Sequence, residues 1–280
     1  MNQQGVVVVI GAGGIGQAIA RRQGTGRTVL LADRNEQPLA TAAETLASAG
    51  HLVQTRPVDV SLRESVHALA EGAAALGEVV NVVHTAGVSP VQASVAAVLA
   101  VDLVGTALVL EEFGRVIAPG GAGLVVSSMA GHMLPPLEPA QDEALARTPA
   151  DELRQLPFLS EEAVSNSGAA YGIAKRANQL RVQAAAVEWG DRGARVNSIS
   201  PGIVITPLAL EEMSGPGAAG YQAMIERCAA GRAGTTDEIA TAAALLLGPD
   251  GAFITGSDLL IDGGVIAAIR AGRIQLSIRT

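Results

Sequence analysis

The sequence predicts an α/β protein: a doubly wound, seven-stranded parallel sheet with helices on both faces, in a single domain. Three observations carry this. Short β-branched runs alternate with longer stretches whose apolar residues recur at helical spacing, from residue 5 to about residue 265. The first run, GVVVVI, opens directly into the glycine-rich turn Gly11-Ala12-Gly13-Gly14-Ile15-Gly16. The rhythm never resets, and no internal repeat or low-complexity linker divides the 280 residues.

Taken in order, GVVVVI reads as a strand buried on both faces, and QAIARRQ as the helix after the turn. RTVLLAD is a second strand ending at Asp33, 22 residues after Gly11. EQPLATAAETLASAG is a helix closed by Gly50, and HLVQTRPVDV a strand ending in Asp59-Val60. RESVHALAEGAAAL is helical, and VVNVVHTAG is a strand ending at Thr85-Ala86-Gly87. SVAAVLAVDLVGTALVLEEFGRVI is expected to be one long apolar helix packed across the sheet. GAGLVVSSMAG is a fifth strand with Ser127 and Ser128 at its tip, ARVNSISPG a sixth and SDLLIDGG a seventh, the last preceded by the helix DEIATAAALLLG. Residues after 265 read as a short tail.

Composition bounds the function. Hydrophobic residues are 49% and aromatics 2%, so the core is aliphatic. A net charge of −8 argues against nucleic acid or an anionic membrane surface as partner. The single cysteine, Cys228, excludes an internal disulfide and offers no metal cluster, so no metal is expected and a cytoplasmic location fits. Met1 to Gln4 carry no Lys or Arg, the apolar run after them is broken by glycines, and no uninterrupted membrane-length apolar stretch occurs. A soluble protein is expected.

G-x-G-x-x-G between strand and helix permits a tight turn and close backbone approach, with a pyrophosphate on the helix N-terminus; this is the Rossmann dinucleotide arrangement. Asp33 stands where a carboxylate accepts from the adenosine ribose hydroxyls and repels a 2′-phosphate. Arg34 is the neighbouring group that could pair with such a phosphate. The turn itself holds no basic residue, so NAD is expected over NADP. Farther on, Tyr171 and Lys175 are four apart in GAAYGIAKRANQLRVQAAAVEW, hence on one helix face. A neighbouring ammonium favours a phenolate and pulls the phenol pKa toward the working range. Y-x-x-x-K alone also fits an ordinary amphipathic helix.

Together these residues resemble the short-chain dehydrogenase/reductase family, with some likeness to its hydroxysteroid dehydrogenase/carbonyl reductase branch. The resemblance covers about residues 5–265. It rests on the turn 11–16, Asp33, Asp59-Val60, Ala86-Gly87, Ser128, Tyr171 with Lys175, Asn197, Pro201-Gly202 with Thr206, and Asp262-Gly263-Gly264. It implies that Ser128 hydrogen-bonds the substrate oxygen, with Ser127 as the rival for that role, and that Tyr171 moves the proton. Lys175 would hold the nicotinamide ribose and lower the tyrosine pKa, while Val204 and Thr206 anchor the carboxamide. The implied activity is NAD-dependent hydride transfer between a secondary alcohol and a ketone, on a steroid-like or other apolar substrate, by a homodimer or homotetramer. A catalytically silent NAD-binding protein of the same fold is the alternative, and a flavin or amino-acid dehydrogenase sharing the glycine turn is a further one.

The chain departs from the family pattern in four places. The glycine turn is one residue shorter. The strand end His84-Thr85-Ala86-Gly87 lacks the family's two amides. Asp102 stands where the family has an asparagine that orders a water leading to the lysine; a carboxylate can accept from that water, and a purely structural Asp102 is the other reading. Finally, 42 residues separate Ser128 from Tyr171. The inserted segment, about residues 132–168, is expected to carry short helices starting near Thr148 and Ser160, and to form either a lid over the substrate or an oligomer-modifying excursion. His132 is a candidate pocket residue. The 207–230 region reads as the variable substrate loop.

Overall fold

Strand β1 (Val6–Ile10) is wholly buried because both its faces are covered. Val6, Val8 and Ile10 point into one apolar layer, Val7 and Val9 into the other. Around it lie β2 (Thr28–Asp33), β3 (Leu52–Pro57), β4 (Val79–His84), β5 (Ile117–Val126), β6 (Arg195–Pro201) and β7 (Asp258–Ile261). The computed structural model describes residues 5–160, 162–215 and 217–275. All seven strands are parallel, in the order β3-β2-β1-β4-β5-β6-β7. The order reverses between β1 and β4, and in such sheets ligands bind in the crevice beyond the strand carboxyl ends at that point.

One face is covered by α1 (Gly14–Gln23), α2 (Glu36–Ser48) and, from the far end of the chain, α11 (Thr236–Leu247). On the other face pack α3 (Arg63–Leu76), a run comprising α4 (Val95–Val98), a π-helical stretch (Leu99–Val104) and α5 (Gly105–Gly114), and the 25-residue α8 (Ser167–Asp191). The long helix expected over 94–116 is therefore continuous but not uniform. Widening to a π turn re-aims side chains, and such turns are frequent at functional sites; Asp102 lies within this one.

The insertion carries short helices, one of them a 3₁₀ turn that starts at Ala150, near the expected Thr148. It opens with α6 (Ala130–Met133), then forms α7 (Pro139–Arg147), which ends where a helix was expected to begin. Pro139 pre-sets the first turn, and the Gln141 side chain accepts from the Glu138 N–H at 3.1 Å. Thr148 precedes Pro149, a position that disfavours helical backbone, and adopts φ −60°, ψ 130°. Two 3₁₀ turns follow at Ala150–Gln155 and Pro157–Leu159, and no helix starts at Ser160.

This segment packs against α5 and α8. Leu145 and Leu153 are fully buried in the core with them. Arg181 of α8 donates to the carbonyls of Leu145 (3.1 Å) and Thr148 (2.8 Å), and Arg176 pairs with Asp142 at 2.7 Å. Substrate-loop helices α9 (Pro207–Met213) and α10 (Ala218–Arg227) bury none of their residues. Beyond β7 the chain forms α12 (Val265–Arg270), where a tail was expected; the part of that tail from 276 to 280 lies outside the described residues. Among the described residues no helix is long and apolar enough to cross a membrane.

Leu145→Ala should remove about 3 kcal/mol of stability, the cost of a full core truncation, read as a lowered urea midpoint. A change within a few tenths of a kcal/mol would show that the insertion is not part of the core.

Candidate active site

The glycine turn is shaped by its neighbours. Gly11 has φ +106°, and a Cβ there would lie 2.4 Å from Thr85 Oγ1. The Thr85 hydroxyl sits against the Ile10 and Gly11 carbonyls at 3.1 and 3.0 Å, tying the end of β4 to the turn. A Cβ on Gly16 would fall 2.1 Å from the Gly11 oxygen, so α1 can approach β1 only with glycine there. Gly13 is different: a Cβ would meet nothing within 4 Å, leaving an open concavity in front of α1. That helix starts with no side-chain cap and no acidic residue in its first turn, so its leading N–H groups and dipole await an anion. Asp33 closes the crevice, accepting from the N–H groups of Ala12 (2.8 Å) and Asn35 (2.9 Å). Asp59 sits beyond, one residue past Val58. Burial works against its charge, but hydrogen bonds from Ser61 and the nearby Arg34 hold its carboxyl below the usual range. These residues fit a dinucleotide: an anion cradle, space for the backbone approach, and a carboxylate for the ribose.

Helix α8 carries Tyr171 and Lys175. Its N-cap Asn166 accepts from Ala169 N–H at 2.9 Å, and Tyr171 and Lys175 follow on one face. Lys175 Nζ lies 5.2 Å from the Tyr171 ring centroid. The lysine is 5% exposed, and a buried ammonium requires a partner. Asp102 supplies it directly: Oδ1 is 3.0 Å from Nζ, and Oδ2 accepts from Val88 N–H at 3.2 Å. A direct ion pair thus stands where a water-bridged contact was expected. Gly87 makes the room, since a Cβ there would sit 2.6 Å from Asp102 Oδ1.

The paired serines separate. Ser127 is buried and donates to the Lys175 carbonyl at 2.8 Å, pinning α8 to β5. Ser128 accepts from Ala130 N–H at 3.1 Å and lines a cavity of about 380 Å³ shared with Tyr171, Lys175 and Asp102. Ile15, Thr85, Gly87, Pro201, Gly202, Val204 and Thr206 line the same cavity, and Thr206 also N-caps α9 by accepting from Ala209 N–H at 3.1 Å. Gly14 is near Thr206, 3.5 Å from its Cγ2 to an added Cβ. Ala86 packs against the apolar layer beneath. Asp33, Arg34, Asp59 and Val60 stand apart from this cavity, at the ends of β2 and β3. Asn197 is a structural residue, donating to Ile254 O at 2.8 Å and accepting from Ser257 N–H at 3.0 Å. Of the inserted segment 132–168, Met133 and Gly168 at its two ends line the cavity, and none of the described residues between them does. His132 turns away too, its Nε2 bonding Asp258 Oδ2 at 2.7 Å.

The electrostatics differ from the simple tyrosine–lysine expectation. Burial pushes the Tyr171 phenol up, Lys175 and the Ser128 hydrogen bond pull it down, and Asp102 and Glu212 push it up again; the net is upward. Burial disfavours the Lys175 charge, but Asp102 and the phenol more than restore it. His84, fully buried, is pulled down to about 3 by burial and by Lys175, so it is neutral. Thr106 donates to the Asp102 carbonyl (2.9 Å), so the His84 Nε2 at 3.2 Å is the donor of that pair. Pattern reading named neither Ser89 nor Glu212, two polar residues of the cavity, although Glu212 falls within the 207–230 region read as the substrate loop. Neither lies at a motif position, so only their convergence in space reveals them.

With this geometry in place, comparison with known proteins gives the class. A family model described as short chain dehydrogenase matches residues 5–140, and one described as Enoyl-(Acyl carrier protein) reductase matches residues 155–266. A short-chain dehydrogenase/reductase of Alternaria brassicicola is 42% identical over 270 residues, covering 94% of this chain and 96% of that protein. The galactitol 2-dehydrogenase (L-tagatose-forming) of Cereibacter sphaeroides is 30% identical, covering 91% and 92%. A solved short-chain type dehydrogenase/reductase from Mycobacterium ulcerans superposes with a TM-score of 0.74 at 24% identity, covering 95% and 90%. The chain belongs to the short-chain dehydrogenase/reductase family and is an oxidoreductase of that family.

Removing the Asp102 charge should lower the Tyr171 pKa, because an anion near a phenol disfavours the phenolate. Asp102→Asn should move the alkaline rise of alcohol oxidation down by about 1 pH unit. An unmoved pH–rate profile would leave Asp102 a purely structural partner.

Proposed function

We propose that this chain is an NAD-dependent alcohol dehydrogenase/ketone reductase acting on a neutral secondary alcohol or its ketone. The observation that carries this is the convergence of Ser128, Tyr171 and Lys175 on one cavity beside the uncapped glycine turn. A bound nicotinamide dinucleotide supplies the two-electron donor or acceptor, held by the turn 11–16, Asp33 and the residues around Thr206. Ser128 Oγ holds the substrate oxygen. Tyr171 Oη delivers the proton to a carbonyl oxygen, or removes it from an alcohol. Lys175 keeps its charge beside the ring, and Asp102 keeps Lys175 in place. A phenol held above its ordinary pKa is protonated at neutral pH, which suits Tyr171 as the acid of ketone reduction.

The preference for NAD rests on Asp33, whose charge opposes a 2′-phosphate. Arg34 does not counter it: it leans toward Asp59 at 3.5 Å and is 74% exposed. A cytoplasmic homodimer or homotetramer fits the single cysteine and the family resemblance. A silent binding protein has no need of a buried lysine poised against a tyrosine, so the enzymatic reading is preferred.

Turnover with a panel of secondary alcohols and ketones tests the proposal. Tyr171→Phe should abolish turnover while the protein still folds and binds NADH; near-native oxidation by that variant would sink the mechanism. By calorimetry, NADH should bind at least about tenfold tighter than NADPH, or about 1.4 kcal/mol. Asp33→Ala should erase most of that gap, and equal affinities in the native protein would refute the assignment.

A further inference from the structure

Part of the wall of the cavity that holds Ser128 and Tyr171 comes from α9, α10 and the loop after β4. Glu212, near the end of α9, accepts from the Ser89 hydroxyl on Oε1 and from the Tyr221 hydroxyl, at 2.9 Å, on Oε2. All three residues line the same cavity as the reacting groups. Ser89 is 3% exposed, and its Oγ also accepts from Val91 N–H at 3.2 Å, so the loop holds it in place. The Glu212 charge is felt inside: burial and then Glu212 push the Tyr221 phenol up, and Glu212 also pushes up Tyr171.

The donors and acceptors decide what this wall can bind. Ser89 and Tyr221 each spend their only O–H on Glu212, so toward the cavity they offer acceptors alone. A carboxylate has about four lone-pair sites, and two of these are taken. The cluster is therefore an acceptor-only, negatively charged end to the pocket. It rewards a hydrogen-bond donor and repels a carboxylate or phosphate. Much of the remaining lining is apolar, with Met129, Met133, Leu208 and Met224 among it. An apolar body with a donor at each end matches this shape.

We propose that the substrate is a neutral diol or hydroxyketone on an apolar scaffold. Its reacting oxygen lies at Ser128 and Tyr171, and a second hydroxyl donates to Glu212. The proposal rests on the oxidoreductase reading above and names the substrate class for that site. The galactitol 2-dehydrogenase relative, named for a polyol, agrees with a site that takes more than one hydroxyl. A latch is the competing role for Glu212, since its neighbour Glu211 also ties α9 to the loop, accepting from Gln92 Nε2 at 2.5 Å. A latch would act on every substrate alike, whereas a recognition group changes their ratio.

The test compares cyclohexanol with the cyclohexane-1,2-, 1,3- and 1,4-diols, 4-aminocyclohexanol and 4-hydroxycyclohexanecarboxylate, using the full-length protein and NAD. The same compounds are titrated calorimetrically into the NADH complex, which reads the contact without turnover. One diol should exceed cyclohexanol by at least about tenfold in kcat/KM and in affinity, about 1.4 kcal/mol. Glu212→Gln should shrink that ratio severalfold and raise the rate with the carboxylate compound. Tyr221→Phe frees a lone pair on Glu212 and should keep or widen the diol preference. Equal kcat/KM for diols and cyclohexanol, a uniform loss across all compounds in Glu212→Gln, or a preference for the amine over every diol would each overturn the proposal. Selective diol binding without turnover of any compound would instead condemn the oxidoreductase reading and leave the Glu212 contact standing.

Discussion

A single ammonium taken out of water organises the catalytic half of this molecule. Lys175 is 5% exposed, between two apolar helices, and a buried charge at that depth is tolerated only when paired and hydrogen-bonded. Several local features follow from that need. The π-helical stretch Leu99–Val104 carries Asp102 to within 3.0 Å of the lysine. Gly87 lacks the side chain that would collide with the carboxylate. Ser127 gives its hydroxyl to the Lys175 carbonyl, locking the helix turn that bears the charge. The Asp102 carboxylate that pairs with the ammonium also adds to the upward push that burial already exerts on the Tyr171 phenol.

The cofactor half obeys a different constraint, that of close approach. Gly11 and Gly16 let β1, β4 and α1 meet at the turn, while the empty space at Gly13 lies outside the protein's own packing. Asp33 serves two ends at once: it holds the turn through Ala12 N–H and presents its remaining lone pairs to the crevice. Thr206 links the halves, since it caps α9 and touches the space beside Gly14.

The fold was legible because its signals are local. Most strands of the parallel sheet read as apolar runs, with the edge strand β3 more polar, and all seven expected strands are present. The glycine turn, Asp33 and the Tyr171–Lys175 spacing are also local, and they were readable for the same reason. What was not legible depends on three-dimensional encounters. The Asp102–Lys175 contact joins residues far apart in the chain, and whether water intervenes is a matter of fractions of an ångström. Ser89 meets Glu212 from 123 positions away in the chain, and Tyr221 from still farther, with no shared motif. In the insertion Thr148 marks the end of α7 and, just beyond Pro149, the start of a 3₁₀ helix, whereas Ser160 opens only a turn.

Helix α9 buries none of its own residues, and Leu208 and Leu210 are 44% and 51% exposed. Little apolar contact resists its opening, so its amides should exchange with solvent far faster than those of β1, which open only with the whole domain. Its attachment is largely polar, through Glu211 and Glu212 to the loop beyond β4. Helix α9 is thus a part of the cavity wall held by hydrogen bonds more than by packing, set above a sheet whose central strand is wholly buried.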